Sequence, residues 1–229
     1  MIALYIMSSP KNILVIIPAR AGSKRIEGKN LKPFNGTPLI EYSIIYAQKF
    51  IKSDIVISTD DKLIAPVAKQ YNVPILWRDE HLATDESLTS EVVKDVITKL
   101  QKDYDYIVVL QPTNPLRPKN LFEDAWKMLQ NKQCDSLLTV SLNHHKLGKL
   151  SDNIFKPYTY TFGQRSQDLE SLYYENGLLY ICSHELAKQG KLIGIEPLAM
   201  VVDHPFASVD IDTELDWKWA ELIQKEYND

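Results

Sequence analysis

Residues 13–33 read ILVIIPARAGSKRIEGKNLKP, and this stretch decides the fold of the chain. Its first five residues are apolar and of types common in β-strands, and they stop at Pro18, where a loop of small residues begins. The loop and its continuation set five cations against the single acid Glu27: Arg20, Lys24, Arg25, Lys29 and Lys32. Free backbone N–H groups beside cations bind polyphosphate, so residues 21–23 predict a phosphate loop after a buried strand.

Two common phosphate motifs do not fit this loop. A Walker A loop has four residues between its glycines, followed by Lys and then Ser or Thr. Here five residues separate Gly22 from Gly28, and Asn30 follows Lys29. The dinucleotide pattern G-x-G-x-x-G also fails, because the loop has only two glycines. A solvated basic loop is the alternative reading of the cations taken alone.

Length and composition are those of one globular domain. The chain has 229 residues, 45% of them hydrophobic and 24% charged, and a net charge of −4, which argues against nucleic acid as the main partner. Two distant cysteines without a CxxC pattern are typical of reduced thiols in a cytoplasmic protein. No apolar run reaches the ~20 residues of a membrane span. We expect a domain over residues 12–229, preceded by an N-terminal extension, residues 1–11.

Short apolar runs alternate with helical patterns along the chain. Strands are predicted at 13–17, 55–58, 75–77, 107–110, 136–141 and 177–182, and helices at 39–50, 63–71, 91–100, 121–130 and after Asp212. This alternation predicts an α/β fold, a Rossmann-like domain whose mostly parallel sheet is flanked by helices. Pro66 is expected to trim or kink the second helix, and Asp212 to cap the last one.

Residues 143–175 interrupt this regularity. The segment contains two histidines, one proline and several aromatic residues, with no clear period. A stretch of this length without a pattern in a compact domain is usually a lid, an arm or an interface.

Two aspartates near the C-terminus form a second polar group. Asp210 and Asp212 are two positions apart in an extended segment, so their side chains project to the same face. Neighbouring carboxylates repel each other unless a cation lies between them, and Mg²⁺ prefers a few such oxygens together with phosphate and water. The alternative is that Asp212 only caps the final helix while Asp210 is solvated.

Four motifs occur in order along the chain: PARAGSKRIEGKN (18–30), LQPTNPLR (110–117), RSQDLESLYYENGLLYI (165–181) and SVDIDTELD (208–216). In this order they closely resemble the acylneuraminate cytidylyltransferases, the enzymes that make CMP-sialic acids. The resemblance runs from about residue 12 to the end of the chain. It implies a nucleotide-diphospho-sugar transferase type of fold and a homodimer in which residues 143–175, here called the arm, form much of the contact.

The resemblance also implies the roles of individual residues. It assigns catalysis to Arg20, Lys24, Lys29 and Asp212, and Mg²⁺ binding to Asp210 and Asp212. It places the nucleotide at Ala19, Arg20, Gly22, Ser23, Lys24, Lys29, Asn30 and Ser87. It places the sugar acid at Gln111, Arg165, Gln167, Asn176 and Tyr180. Without the resemblance, Ser87 could belong to a helix start, Asn176 to a turn and Tyr180 to the core.

Some positions depart from the family pattern. Asn114 stands where the family usually has Ser, and Ser166 and Glu170 replace Arg and Pro in the motif around Arg165. The pair Leu192 and Ile193 falls where some members carry two phenylalanines. These differences concern the sugar side of the expected site, so they leave the choice of sugar acid open.

The resemblance implies transfer of CMP from CTP to the anomeric hydroxyl of a sialic acid, N-acetylneuraminate, with release of pyrophosphate. The expected partners are CTP and a nine-carbon 2-keto-3-deoxy sugar acid, without nucleic acid or membrane. One alternative is the same reaction on legionaminic, pseudaminic or another 3-deoxy-2-keto sugar acid. A second is a sugar 1-phosphate nucleotidylyltransferase or a noncatalytic nucleotide-binding subunit.

Overall fold

The computed structural model describes residues 12–132 and 134–227, so the predicted extension over residues 1–11 lies outside the described residues. The strands are β1 (Ile13–Pro18), β2 (Pro33–Phe34), β3 (Thr37–Pro38), β4 (Asp54–Thr59), β5 (Ile75–Trp77), β6 (Tyr106–Val109), β7 (Ser136–Asn143), β8 (Gly148–Ser151), β9 (Ile154–Pro157), β10 (Leu172–Ser183) and β11 (Leu198–Val201). The helices are α1 (Leu39–Tyr46), α2 (Ala65–Gln70), α3 (Thr89–Leu100), α4 (Leu121–Lys132), α5 (His184–Lys188) and α6 (Glu214–Glu226). A π-helical segment, Ala47–Ile51, continues α1.

Seven strands form the central sheet in the order β11, β7, β10, β6, β1, β4, β5. The pairs β1–β4, β1–β6, β4–β5 and β7–β11 are parallel, whereas β10 runs antiparallel to both of its neighbours, β6 and β7. The predicted α/β class with a mostly parallel sheet is therefore confirmed. Within the described ranges, no helix has the length and apolar character needed to cross a membrane.

The middle of β1 is buried on both faces of the sheet. Val15 and Ile17 point into a cluster that includes side chains of α1 and α4. Leu14 and Ile16 point into a second cluster that includes side chains of α3 and α5. An uninterrupted apolar run is what a strand covered by helices on both sides requires, so this run predicted the central strand correctly.

The predicted cap of the last helix was wrong. The cap of α6 is Thr213, whose hydroxyl accepts the N–H of Asp216, while the Asp216 carboxylate accepts the N–H of Thr213 at 2.7 Å. This reciprocal capping box takes the place expected of Asp212. Pro66 does not kink α2, but the helix begins at Ala65 and not at residue 63, in agreement with the expected trimming; Pro66 lies in the first turn, where a missing N–H needs no partner.

The arm contains secondary structure that the sequence pattern did not predict. Strands β8 and β9 form an antiparallel hairpin whose turn residues, Asp152 and Asn153, both have positive φ angles. The hairpin leaves Leu150, Ile154 and neighbouring apolar side chains exposed to solvent. Strands of four residues that are exposed on both faces carry no alternating pattern, so the hairpin was missed.

Arg117 joins three parts of the fold near the end of β6. Its buried guanidinium donates from Nε to the Leu178 carbonyl at 2.8 Å, from one terminal nitrogen to Ser43 Oγ at 3.1 Å and from the other to the Gln111 carbonyl at 2.8 Å. Burial lowers the pKa of Arg117 to about 10. The side chain therefore holds the loop after β6 against β10 and α1.

We expect Arg117→Met to lower the free energy of unfolding by about 3 kcal/mol, because three buried acceptors lose their donor. Urea denaturation measures the change. The control is Arg165→Met, which removes an exposed arginine paired with Asp168 and should cost less than about 1 kcal/mol. Equal losses in the two variants would show that Arg117 does not hold the fold together.

Candidate active site

A cavity of about 310 Å³ opens at the carboxyl ends of the parallel strands, where β1, β5 and β6 give way to loops. Ligands of open α/β sheets bind at this edge. Eight of the predicted site residues line the cavity: Arg20, Ser23, Lys29, Asn30, Ser87, Gln111, Asp210 and Asp212. The fold therefore brings residues from distant parts of the chain to one place.

A second cavity, of about 410 Å³, adjoins the first one. Lys24, Arg25 and Asp85 line it together with four residues that both cavities share: Arg20, Ser23, Lys29 and Asp212. Those shared residues border both spaces, so the loop cations and the C-terminal aspartates line two adjoining cavities.

The loop after β1 is held by its own polar contacts. Ala19 is buried, and its N–H donates to the Ser58 carbonyl at 2.9 Å. The N–H of Ala21 donates to Asp60 Oδ1 at 2.9 Å, and the N–H of Ser23 donates to the Ala21 carbonyl at 2.9 Å. The expectation that the N–H groups of residues 21–23 are all free was therefore wrong, since two of the three are engaged.

The loop presents charged side chains to these two cavities. The buried Asn30 amide donates to the Arg20 carbonyl at 3.0 Å and so braces the loop from below, while Gly22 lies at the exposed surface. Lys29 is inserted more deeply: its side chain is 11% exposed, and Nζ donates to the Ile211 carbonyl at 2.7 Å. This contact ties the loop to the segment that carries Asp210 and Asp212.

Three carboxylates pair with the loop cations, and one of these pairs joins Lys32 to Glu214 at 2.6 Å. Asp85 contacts Arg20 at 2.5 Å and also pairs with Lys24. Hydrogen bonds from Lys24 and Arg20 hold the pKa of Asp85 below its ordinary value. Asp212 pairs with Lys29 and Arg25, each at 3.1 Å. The positive charge of the loop is thus partly balanced within the chain.

Asp210 and Asp212 border the same cavity, as predicted. Although Asp210 faces the cavity, the protein around its carboxyl group removes water, and this burial raises its pKa, with repulsion from Asp212 adding to the effect and a hydrogen bond from Thr113 opposing it. A cation between the two carboxylates would relieve this repulsion. In the described ranges no three His, Cys, Asp or Glu side chains cluster as a metal site. Two carboxylates suit Mg²⁺ when substrate phosphate completes its coordination.

The predicted sugar residues do not all meet at the cavity. Gln111 lines it, and Tyr180 is close enough to Asp210 for that charge to contribute to a raised pKa of the phenol, which is caused chiefly by burial. The Tyr180 hydroxyl donates to Glu175 at 3.2 Å. Arg165 and Gln167 lie on the exposed arm, where Arg165 pairs with Asp168 at 2.7 Å. Neither of these two arm residues is among those that line the cavity.

Asn176 holds an irregularity in β10. The strand shifts register between Glu175 and Tyr180, and Gly177 there has a φ of 74°. The buried Asn176 side chain accepts from Thr139 Oγ1 at 2.6 Å and donates to Ser141 Oγ at 3.0 Å. Its amide is therefore engaged within the sheet, away from the residues that line the cavity.

Arg78 was missed by the sequence analysis although it lines the cavity. It directly follows β5, and its buried guanidinium donates to the Ser58 carbonyl at 2.9 Å and to the Leu82 carbonyl at 3.4 Å. Desolvation lowers its pKa. A signal was present, because a charged residue at the carboxyl end of a predicted parallel strand is placed at the ligand edge.

Comparison with known proteins gives one family match and several close relatives. A family model described as cytidylyltransferase matches residues 14–207. A CMP-N,N'-diacetyllegionaminic acid synthase of Legionella pneumophila is 35% identical over 93% of this chain and 96% of its own length. A pseudaminic acid cytidylyltransferase of Campylobacter jejuni is 33% identical over 93% and 96%. An N-acylneuraminate cytidylyltransferase of Escherichia coli is 30% identical over 94% of this chain but 53% of its own length.

Solved structures resemble the chain in fold at low identity. A CMP:2-keto-3-deoxy-manno-octonic acid synthetase complexed with CTP superposes with a TM-score of 0.70 at 12% identity, covering 94% of this chain and 99% of that one. A 4-diphosphocytidyl-2C-methyl-D-erythritol synthase gives a TM-score of 0.68 at 13% identity, again over 94% and 99%. At these identities the likeness concerns the fold alone.

We expect Asp210→Asn to stabilise the metal-free protein at neutral pH by up to about 1 kcal/mol. The folded-state pKa of Asp210 is raised, so ionisation costs more in the folded than in the unfolded chain. The wild type loses stability relative to the variant as the pH rises through that raised pKa. Below the ordinary value of 3.8, where both states are protonated, the difference should vanish.

Urea denaturation with a chelator at several pH values measures this difference. The control is Asp203→Asn, a neutralised exposed aspartate in the loop after β11, which should shift stability little at any of these pH values. A neutral-pH loss of stability in the Asp210 variant would contradict the expected strain at this carboxylate.

Proposed function

This chain belongs to the cytidylyltransferase family, and we propose that it transfers CMP from CTP to the anomeric hydroxyl of a nine-carbon 2-keto-3-deoxy sugar acid, releasing pyrophosphate. The observation that carries the proposal is the cavity at the carboxyl edge of the sheet that Arg20, Lys29, Asp210 and Asp212 line together, with Lys24 lining the cavity beside it. The acceptor class is supported by relatives named for sugar acids of this kind.

The proposed reaction is an in-line displacement at the α-phosphorus of CTP. The oxygen of the sugar hydroxyl forms the new bond to phosphorus and releases its proton to water, and the bond to the oxygen shared with the β-phosphate breaks. Pyrophosphate leaves with that electron pair. The protein contributes orientation of the two substrates and stabilisation of the charge that develops on the leaving group.

Arg20, Lys24 and Lys29 would hold the β- and γ-phosphates and stabilise the departing pyrophosphate. Lys29 is suited to this role because its ammonium is largely shielded from water and fixed by the Ile211 carbonyl. A shielded cation acts more strongly on a developing negative charge than one in bulk water. Arg20 is partly shielded as well, whereas Lys24 is mostly exposed and can follow the leaving group.

Asp210 and Asp212 would hold Mg²⁺. When bound, Mg²⁺ neutralises phosphate charge and polarises the oxygens it contacts. The charge of Asp212 contributes to the raised pKa of Asp210, and a cation held between the two carboxylates would offset that repulsion. Lys29, which contacts both Asp212 and the Ile211 carbonyl, would keep this acidic segment against the phosphate loop.

The loop before α3 would receive the cytidine. Ser87 Oγ donates to the His81 carbonyl at 3.1 Å and lies 2.9 Å from Thr84 Oγ1, so its position is set by the turn. Arg78 lies at the same cavity with its guanidinium held by backbone carbonyls. We propose that these fixed polar groups orient the nucleotide while the cations hold its phosphates.

The sugar acid itself is proposed at a finer level. N-acetylneuraminate is the acceptor implied by the motif resemblance, and N,N'-diacetyllegionaminic acid is a second candidate, supported by the Legionella relative. Gln111 is the predicted sugar residue that faces the cavity, and its amide can hydrogen-bond hydroxyl or carboxylate groups without a fixed charge.

Pyrophosphate release from CTP and Mg²⁺ across a panel of sugar acids tests the proposed function. The panel holds N-acetylneuraminic, deaminated, legionaminic, pseudaminic and eight-carbon Kdo acids. We expect turnover with a nine-carbon acid, loss of turnover with a chelator, and at least a ~100-fold loss in Asp212→Asn, since removal of a metal ligand costs a few kcal/mol in the transition state. Asp203→Asn is the matched control and should keep the wild-type rate.

Other outcomes separate the alternatives. No turnover with any sugar acid of the panel, together with turnover of a sugar 1-phosphate, would show that the acceptor is a sugar 1-phosphate and not a sugar acid. CTP binding without turnover of any acceptor would favour a noncatalytic nucleotide-binding subunit. A wild-type rate in the presence of chelator, or in the purified Asp212 variant, would remove the metal assignment.

We also propose that the arm pairs with a second copy of the chain. Exposed apolar residues along it include Leu150, Ile154, Tyr158 and Phe162, and clustered exposed apolar surface is typical of interfaces. Light scattering should give twice the 26.3 kDa of one chain, and Ile154→Asp should reduce the mass to that of a monomer. Leu63→Asp, which alters an exposed leucine outside the arm, should leave the mass unchanged. A monomeric wild type would contradict this assignment.

A further inference from the structure

Asp85 faces the phosphate loop from the segment that leads into α3. One of its carboxylate oxygens contacts the Arg20 guanidinium at 2.5 Å, and the other contacts the Lys24 ammonium. All three side chains line the cavity of about 410 Å³ beside the loop. A carboxylate that spans two cations in this way uses the same donors that two phosphate oxygens would use.

Asp60 and Asp85 both contact the loop, but they do so differently. Asp60 accepts the backbone N–H of Ala21 at 2.9 Å, so it supports the loop itself. Asp85 is paired with side chains, and the Lys24 side chain is 80% exposed. Removing the charge of Asp85 would therefore free two cations without taking away a support of the loop backbone.

The turn that carries Asp85 has hydrogen bonds of its own. Thr84 and Ser87 are joined through their hydroxyl oxygens at 2.9 Å, and Ser87 also donates to the His81 carbonyl at 3.1 Å. These contacts do not involve the Asp85 carboxylate. The neighbouring Glu86 is exposed on the same turn. The chain thus offers a second carboxylate, one residue away, for comparison.

We propose that Asp85 is an internal anion that occupies the triphosphate's cations in the empty protein, yields them to CTP, and takes them back as pyrophosphate leaves. This inference rests on the proposed function. Arg20 and Lys24 cannot bind a polyphosphate fully while they are paired with Asp85, because the polyphosphate and the Asp85 carboxylate repel each other and compete for the same donors. The polyphosphate carries more negative charge than the Asp85 carboxylate, so it displaces Asp85 from the two cations when it is present.

The consequence is a deliberate weakening of polyphosphate binding. Competition with Asp85 lowers the affinity of the protein for CTP. It lowers the affinity for pyrophosphate in the same way, so the product dissociates faster. Asp85 would therefore be a positioning residue that sets the balance between nucleotide capture and product release.

Calorimetric titration of the whole chain with inorganic tripolyphosphate and with pyrophosphate, in the presence of a chelator, tests this inference. We expect Asp85→Asn to bind both anions roughly 3- to 10-fold more tightly than the wild type, the range expected when two exposed ion pairs no longer compete. Asp85→Glu, which keeps the charge, should remain closer to the wild type. Glu86→Gln is the matched control and should stay within about 2-fold.

Each other result overturns the inference. Unchanged or weaker binding in Asp85→Asn would mean that the carboxylate orients the cations for phosphate. Equal tightening in Asp85→Asn and Glu86→Gln would mean that net charge, and not occupancy, limits binding. During turnover, Asp85→Asn should be inhibited by lower pyrophosphate concentrations than the wild type, and an unchanged inhibition constant would equally contradict the proposed exchange.

The binding and turnover measurements separate this inference from the proposed function. Tripolyphosphate reports on the loop cations without any cytidine, sugar or chemistry. Tightened binding in the Asp85 variant with no turnover of any sugar acid by the wild type would overturn the proposed reaction alone. Turnover with no tightening would overturn the role of Asp85 alone.

Discussion

The burial of β1 on both faces of the sheet is the constraint from which the site follows. Leu14, Val15, Ile16 and Ile17 are packed between two helical layers, so the strand has little freedom to slide or tilt. The loop that follows begins at a fixed point, and its first turn is tied to β4 through the Ser58 carbonyl. The loop cations therefore lie at the carboxyl edge of the sheet, where their long flexible side chains extend from a backbone that is held in place.

Charge balance is the second constraint on the site. Several cations that converge on one site repel each other unless anions lie nearby. This chain supplies carboxylates from two other segments, at Asp85 and Asp212. Asp210 is the exception, because burial and the proximity of Asp212 raise its pKa. The loop cations are paired with carboxylates, whereas ionisation of Asp210 is disfavoured. This arrangement suits a ligand that brings both negatively charged phosphates and a metal ion.

The parts that local patterns predict are those that are buried or strongly charged. Six strands of the main sheet follow from apolar runs, and the loop cations and the two aspartates follow from charge and spacing. Strand β11 was missed because its four residues alternate weakly between half-buried and exposed. The positions of Arg78 and Asp85 at the site could not be predicted, because they depend on which loops meet in the folded chain. The cap at Thr213 could not be predicted either, because several adjacent polar residues can cap a helix and propensity alone does not choose between them.

The two halves of the predicted site differ in how the fold supports them. The nucleotide side lies on the sheet edge, where Asn30 and Arg78 are held by hydrogen bonds to backbone carbonyls. Of the predicted sugar residues, Arg165 and Gln167 lie on the arm, outside the cavity. A rigid edge suits the triphosphate, which is common to every reaction of this class. An arm that is built largely outside the core can change its side chains without disturbing the sheet, so this half of the predicted site is less constrained by the fold than the first.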